Sequence, residues 1–396
     1  MISVVGVADG PAASGRGLLA TADVVAGGAR LLAQVATDRS PTAREITIGG
    51  DLERALDEIS SAHQTGAHVC VVASGDPGWF GIVRTLAERF GSAMLSVHPA
   101  PSAVALAFAR LGLPWDDAVI ASAHGRPAAA AARLAVRAWK AAVLTSPDAT
   151  PAHIGRLLRD LGSTHEHVAV CENLGLEDER VSVTDIDGLA EGDWGPLAVV
   201  VVWSGHGLAR DKSLGWGLPE AAFVHRAAMI TKSEVRALVV GLLDLPSAAS
   251  GDAVLWDVGA GSASVAIECA RVAPWIEAIA VERDRDAAES CRTNAQRHQI
   301  GLQVYEGDAP GCLAGLPDPD RVFVGGGGVD VLRAAHDRLR PGGVSVATFA
   351  ALDRAAAAAD LLGNLTQVAA SRGRRLPDGG WRLEAANPTF VAWGRR

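Results

Sequence analysis

The stretch Ala253-Val254-Leu255-Trp256-Asp257-Val258-Gly259-Ala260-Gly261-Ser262 decides how the second half of this chain is built. An apolar run ends in an acid and a glycine turn, and a helical pattern reaching Arg271 follows. Such a run fits a strand covered on both faces. The glycines permit a tight turn and close approach of a ligand to the backbone. The helix start beyond them offers amides to polar ligand groups. Working outward, strands are expected at Ile276–Val281, Leu302–Tyr305, Arg321–Val324, Val344–Thr348 and Gln367–Ala370, with a helix over Asp286–His298. Phe390–Trp393 is expected as a final edge strand. This alternation is the order of an open, doubly wound α/β sheet. Upstream, Thr231 and Glu234 have the spacing of a capping box opening a helix over Val235–Leu243.

The first half also alternates. Strands are expected at Val4–Val7, His68–Ala73 and Leu95–Val97, with helices at Asp51–Gln64, Phe80–Arg89 and Pro101–Leu111. The pattern restarts near Leu113-Pro114-Trp115, giving strands at Val119–Ala121, Ala142–Thr145, Val168–Cys171 and Leu197–Trp203 and helices at Arg126–Lys140 and Pro151–Leu161. The glycine-rich, polar segment 206–218 reads as a linker. Two lobes, about 1–112 and 113–205, would then precede a domain over 219–396.

Three stations in the last domain point to a nucleoside-bearing cofactor. The turn Gly259 to Gly261 would wrap an amino-acid end, with Asp257 positioning its ammonium directly or through water. Glu282 ends the next strand, where an acid accepts ribose hydroxyls. Asp308 follows the third strand, suited to an adenine amine, and Ala309 leaves room beside the ring. The set favours S-adenosylmethionine. A glycine turn alone would serve a nicotinamide oxidoreductase equally well. Gly325, Gly326, Gly327 and Gly328 form a run that helix propensity does not explain. It suggests close passage of a bulky ligand or a tight structural crossover.

Composition bounds the alternatives. A formal charge of −9 gives no global case for nucleic-acid binding. The five cysteines, Cys70, Cys171, Cys269, Cys291 and Cys312, are dispersed, which argues against a disulfide framework or structural zinc, and no metal is expected. The start lacks a signal-type segment, and the apolar run Leu197–Trp203 is too short to span a bilayer. A cytoplasmic protein without a membrane partner is expected.

The chain resembles the fused precorrin-6Y C5,15-methyltransferases of cobalamin biosynthesis, the decarboxylating family. In the first half the matching segments are Ser74-Gly75-Asp76-Pro77-Gly78, Pro101-Ser102-Ala103-Val104, Leu106 to Trp115, Ser122 to Arg126 and Glu172-Asn173-Leu174-Gly175. In the second they are Leu218 to Phe223, Met229 to Arg236, Gly307-Asp308-Ala309-Pro310 and the glycine run. The resemblance implies a two-lobed tetrapyrrole methylase fold followed by a Rossmann-like class I methyltransferase fold. It places S-adenosylmethionine near Gly75, Asp76, Pro77 and Ser102 as well as in the second half. One departure is Gly6-Val7-Ala8-Asp9-Gly10-Pro11, where the family's glycine-x-glycine-proline-glycine turn is altered by Asp9.

The implied reaction methylates precorrin-6B at C5 and C15 and removes the C12 acetate carboxyl, giving precorrin-8X. The first unit would act at C5. The second would perform the rest, with self-association through the second domain. Lys232, Arg236, Arg283, Arg372 and Arg374 are candidate partners for substrate carboxylates. His124, His206 and His225 are candidates for proton transfer, and Trp275 and Trp381 for stacking on the flat ligand. No covalent nucleophile is assigned. The alternatives are action on another tetrapyrrole or on an unrelated small molecule, methylation of RNA, and a first unit that only binds tetrapyrrole.

Overall fold

The computed structural model describes residues 1–124, 127–205, 215–226, 230–247 and 253–396. The chain divides into two units, one of residues 1–128, 138–156 and 165–205, the other of residues 129–137, 157–164 and 206–396. His206, most of the expected linker, and Gly125, Arg126 and Met229 of the family segments lie outside the described residues.

The first unit holds two five-stranded sheets. Strands β1 (Ile2–Val7), β2 (Val24–Gly27), β3 (Arg44–Thr47), β4 (Val69–Ser74) and β5 (Leu95–His98) pair in the order β3-β2-β4-β1-β5, all parallel. Strands β6 (Val119–Ser122), β7 (Lys140–Leu144), β8 (His167–Glu172), β9 (Arg180–Thr184) and β10 (Ala198–Trp203) pair in the order β6-β7-β10-β8-β9, antiparallel except for β6 with β7. The helix expected over Arg126–Lys140 runs Ala128–Arg137, and Lys140 instead begins β7 with its side chain buried against Asp117 at 2.6 Å. Strands β2, β3 and β9 are additional to the sequence expectation; β3 carries one buried residue, Ile46, and so has almost no apolar signature.

The second unit is a seven-stranded sheet. Strands β11 (Val254–Val258), β12 (Glu277–Glu282), β13 (Leu302–Glu306), β14 (Arg321–Val324) and β15 (Val344–Phe349) are parallel, and β16 (Asn364–Val368) and β19 (Thr389–Arg395) complete it in the order β13-β12-β11-β14-β15-β19-β16. Every residue of β11 is buried. The sheet grows outward from β11 in both directions, which opens a crevice at its carboxyl edge.

Two expectations need correction here. The last strand is not an edge: β19 pairs antiparallel with β15 on one side and β16 on the other. The strand expected at Gln367–Ala370 ends at Val368, and the chain then makes a separate two-stranded hairpin of β17 (Ser371–Arg375) and β18 (Trp381–Ala385). Antiparallel insertion of β19 places its first residues at the edge where the parallel strands end.

The segment leading into the domain is held by buried charge. Arg236 and Glu268 are both fully buried and pair through Nε and Oε1 at 2.6 Å. The guanidinium also donates to the carbonyls of Thr231 and Leu218, and Glu268 accepts from the amides of Gly217 at 2.6 Å and Leu218 at 2.9 Å. Residues 217–218 of the expected linker are therefore anchored. The capping box is also corrected: the helix runs Ser233–Leu242 with Lys232 at its N-cap and no side-chain cap.

Arg236→Ala leaves Glu268 charged in the interior. We expect it to lower stability by about 3–5 kcal/mol, since breaking a buried pair strands its partner. Urea unfolding of the full chain measures this, and a loss under about 1 kcal/mol would show that the pair does not anchor the segment.

Candidate functional site

A cavity of about 770 Å³ opens at the carboxyl edge of the seven-stranded sheet. That is ample for a cofactor-sized ligand. The loops that form it are stitched together by backbone. Gly259 and Ala260 donate to the carbonyl of Val281 at 2.9 and 3.2 Å, Gly325 donates to Val258, and Gly307 donates to Glu282. Gly259 adopts φ +65°, and a Cβ there would lie 2.7 Å from the backbone of Gly326. The loops after β11 and β14 thus touch backbone to backbone, which explains part of the glycine run as a crossover. Gly325, Gly326 and Gly327 also line the cavity. Gly328 begins the helix Gly328–His336 and borders a smaller neighbouring recess.

The three acids occupy different settings. Glu282 is nearly buried on the wall, with Oε2 accepting from the Gly261 amide at 2.8 Å and Oε1 from the Asp284 amide at 3.0 Å. Its orientation is fixed before any ligand arrives. Asp308 is exposed on the wall, 3.9 Å from Arg283. Asp257 lies under the turn, 1% exposed, with Oδ2 accepting from Ala266 N at 3.0 Å. Its Oδ1 is buried without a hydrogen-bond partner among the described residues. Burial pushes this carboxyl up to about 7, against the Ala266 hydrogen bond and with help from the Glu282 charge.

The candidate cations separate clearly. Lys232 and Arg283 line the cavity, and Lys232 has no ion pair among the described residues. Arg236 does not reach the cavity; it is the buried anchor described above. Arg372 is occupied by Glu220 and Glu234, and Arg374 pairs with Glu384 at 3.0 Å, so neither is a ready carboxylate partner. Of the candidate proton carriers, His225 lines the cavity, whereas His124 is exposed in the first unit. Trp275 donates to Pro246 O at 2.9 Å, and Trp381 stands exposed on the hairpin; neither lines the cavity.

The wall also contains Arg226, Asp284, Thr348, Asn387 and Thr389, which the sequence reading missed. The rule that ligands bind beyond the carboxyl ends of parallel strands could have found Thr348. Asn387 and Thr389 needed the antiparallel placement of β19.

In the first unit, the loops after β1, β4 and β5 converge. Gly75 N donates to Val7 O at 2.8 Å and Ala100 N to Gly75 O at 3.2 Å. A Cβ at Gly6 would lie 2.1 Å from Gly75 O, so this crossing requires glycine. Asp76 accepts from Gly78 N at 2.9 Å, Pro77 is buried, and Ser102 caps the helix Ala103–Leu111 through Ala105 N at 3.1 Å. The altered loop is pinned by a bridge between Val7 and Pro11, with Asp9 exposed.

The residues fit S-adenosylmethionine on three grounds: the glycine cradle that a Cβ would fill, the preset acceptor Glu282, and the unpartnered oxygen of Asp257. Comparison with known proteins agrees. Residues 221–393 match the family described as Precorrin methyltransferase domain, and residues 5–190 the Tetrapyrrole (Corrin/Porphyrin) Methylases. The decarboxylating precorrin-6Y C(5,15)-methyltransferase of Sinorhizobium sp is 38% identical over 91% of this chain and 87% of its own length. A probable cobalt-precorrin-6B C(15)-methyltransferase (decarboxylating) of Pyrobaculum calidifontis is 33% identical over 44% of this chain and 93% of its own. The cobalt-precorrin-7 C(5)-methyltransferase of Salmonella typhimurium is 32% identical over 51% of this chain and 98% of its own.

The Asp257 carboxyl gives a pH signature. Its ordinary value is 3.8 and its folded value about 7, so between them the folded chain holds a proton that the unfolded chain has released. Stability of the ligand-free protein should therefore fall as pH rises through that window and level off above it. Asp257→Asn should flatten that slope. Urea midpoints from about pH 5 to 8 measure it, and an unchanged slope in the variant would assign the dependence to other groups.

Proposed function

Because the chain belongs to the decarboxylating precorrin-6Y C(5,15)-methyltransferase family, we propose that its two halves divide the reaction. The enzyme is an S-adenosylmethionine-dependent methyltransferase that methylates precorrin-6B, in the precorrin-6Y pathway, with decarboxylation. In our reading, residues 1–205 methylate C5, residues 206–218 link, and residues 219–396 methylate C15 and remove the C12 acetate carboxyl. Separate relatives named for C(5) methylation and for decarboxylating C(15) methylation, each matching about half of the chain, support the division.

The observation that carries the second half is the preset Glu282 on the cavity wall. When bound, S-adenosylmethionine supplies an electrophilic methyl group. Glu282 would hold its ribose hydroxyls and Asp308 its adenine amine, with Ala309 beside the ring. Asp257 lies beneath the wall, so it serves the ammonium through the Gly259–Gly261 turn or through water. Lys232 and Arg283 would bind acetate or propionate groups of the substrate, and the side-chain-free wall Gly325 to Gly327 would admit the flat macrocycle. The protein's task is to fix a macrocycle carbon in line with the methyl group, an orientation that recovers much of the barrier. In decarboxylation the electron pair of the broken C–C bond passes into the conjugated macrocycle, and a proton replaces the lost carboxyl. In the first half, Gly75, Asp76, Pro77 and Ser102 would hold the cofactor through backbone, since both polar side chains already bind their own loops.

Self-association through the second half rests on the β17–β18 hairpin, where Trp381 and Leu383 are 64% and 71% exposed on one face. Such apolar exposure favours a partner surface, and we take the partner to be a second copy. A cytoplasmic setting suits the five unpaired thiols, and no described helix is long and apolar enough to cross a membrane.

Mass spectrometry of the full chain supplied with precorrin-6B and S-adenosylmethionine tests the reaction. The expected product gains two methyl groups and loses one carbon dioxide. Glu282→Ala should retain the methylation assigned to the first half and lose the one assigned to the second. No mass change despite demonstrated cofactor binding would overturn the corrinoid reading, and one methyl with no decarboxylation in the native chain would overturn the division. For assembly, Trp381→Glu should reduce the sedimenting mass without lowering cofactor binding; a native chain that sediments as a monomer would sink that part.

A further inference from the structure

The guanidinium of Arg372, on the hairpin, contacts three residues of the segment that leads to the cavity wall. It donates to Glu220 Oε1 at 2.6 Å and Oε2 at 3.2 Å, to Glu234 Oε1 at 2.9 Å and Oε2 at 2.7 Å, and to Ser233 Oγ at 3.1 Å. Isolated exposed ion pairs add little, but a planar fork engaging two carboxylates at once is a geometric constraint. The hydrogen bonds to Arg372 hold both carboxyls down at about 2, so the arrangement stays charged through the whole working pH range.

What the fork holds is the start of the helix Ser233–Leu242. Glu220 Oε1 accepts from the Ser233 amide at 3.2 Å. From beneath, the buried Arg236 donates to Thr231 O. The backbone is thus gripped one residue before and one residue after Lys232. Ile230, Thr231 and Lys232 all face the cavity, and Lys232 is the lysine there with no ion pair among the described residues. A lysine at the end of a flexible four-carbon stem loses less entropy on binding when its backbone is already fixed.

We propose that Arg372 is a positioning residue for the tetrapyrrole: through Glu220 and Glu234 it sets the backbone at Lys232, so that the ammonium meets a substrate carboxylate. This rests on the reading of the second half as the site of C15 methylation and decarboxylation. Removing the guanidinium would leave two carboxylates facing each other at the helix start, and Glu220 would withdraw from Ser233.

The test uses the full chain and two readouts. Without any substrate, hydrogen exchange of the Ser233 amide should be roughly tenfold faster in Arg372→Ala, as a local contact is lost. With precorrin-6B, KM for the tetrapyrrole at the C15 step should rise roughly tenfold to a hundredfold, while KM for S-adenosylmethionine and the melting temperature stay close to the native values. Arg372→Lys should restore part of the loss. Lys232→Ala should raise the same KM, and the double variant should be no worse than the worse single variant, because both act through one contact. Glu220→Gln is the second route should Arg372→Ala fold poorly. Unchanged exchange would overturn the clamp. Faster exchange with an unchanged tetrapyrrole KM, or multiplicative effects in the double variant, would overturn its role in substrate binding. The exchange readout needs no substrate, so its failure is distinguishable from failure of the corrinoid assignment.

Discussion

The backbone contact between Gly259 and Gly326 is the constraint on which the second-half site depends. It exists because β11 lies between β12 and β14, so the loops leaving β11 and β14 rise side by side at one edge. At 2.7 Å from the facing backbone there is no room for a Cβ, and φ +65° disfavours one in any case. With the loops in contact, the amide of Gly261 falls on Glu282 and, with the Asp284 amide, fixes the orientation of that carboxylate. Burial of Asp257 follows from the same packing, which is why an acid at the end of a core strand keeps an unpartnered oxygen and a raised proton affinity.

The first unit solves a similar problem with different material. Its crossing is between Gly6, Gly75 and Ala100, where three parallel strands end together. Asp76 and Ser102 spend their side chains on a turn and a helix cap. Backbone amides and carbonyls are therefore what this edge offers a ligand. The second unit offers oriented carboxylates and a lysine. The two edges thus present different chemistry, one of backbone groups and the other of oriented carboxylates and a lysine.

Much of this was legible in the sequence because it is periodic and local. Continuous apolar runs marked β11 and β14, and the turn glycines, Glu282 and Asp308 follow strand ends at fixed places. What failed was non-local. Nothing near Phe390 tells that the strand is paired on both sides, because that depends on where residue 344 onward has already been placed. Strand β3, with a single buried residue, gives periodicity nothing to detect. The arginines show the limit most clearly: Arg236 and Arg372 both read as free cations, yet their carboxylates stand 32 and 152 or 138 positions away in the chain.

That misreading has a physical content. An arginine is suited equally to a substrate carboxylate and to one of the protein's own, and the local sequence is the same in either case. The difference lies in supply. Glu268 is buried and cannot be left unpaired, so Arg236 is committed to it whatever the ligand. Glu220 and Glu234 are partly exposed and would tolerate solvent, so Arg372 is committed by geometry instead, through two carboxylates that converge on one fork. With both arginines consumed in holding the chain on either side of residue 232, the cations this segment leaves on the cavity wall are Lys232, without an ion pair among the described residues, and Arg226, 3.9 Å from Asp284. A compact ammonium imposes less directional demand than a guanidinium, which under the proposed reading suits a substrate that bears several flexible acetate and propionate arms.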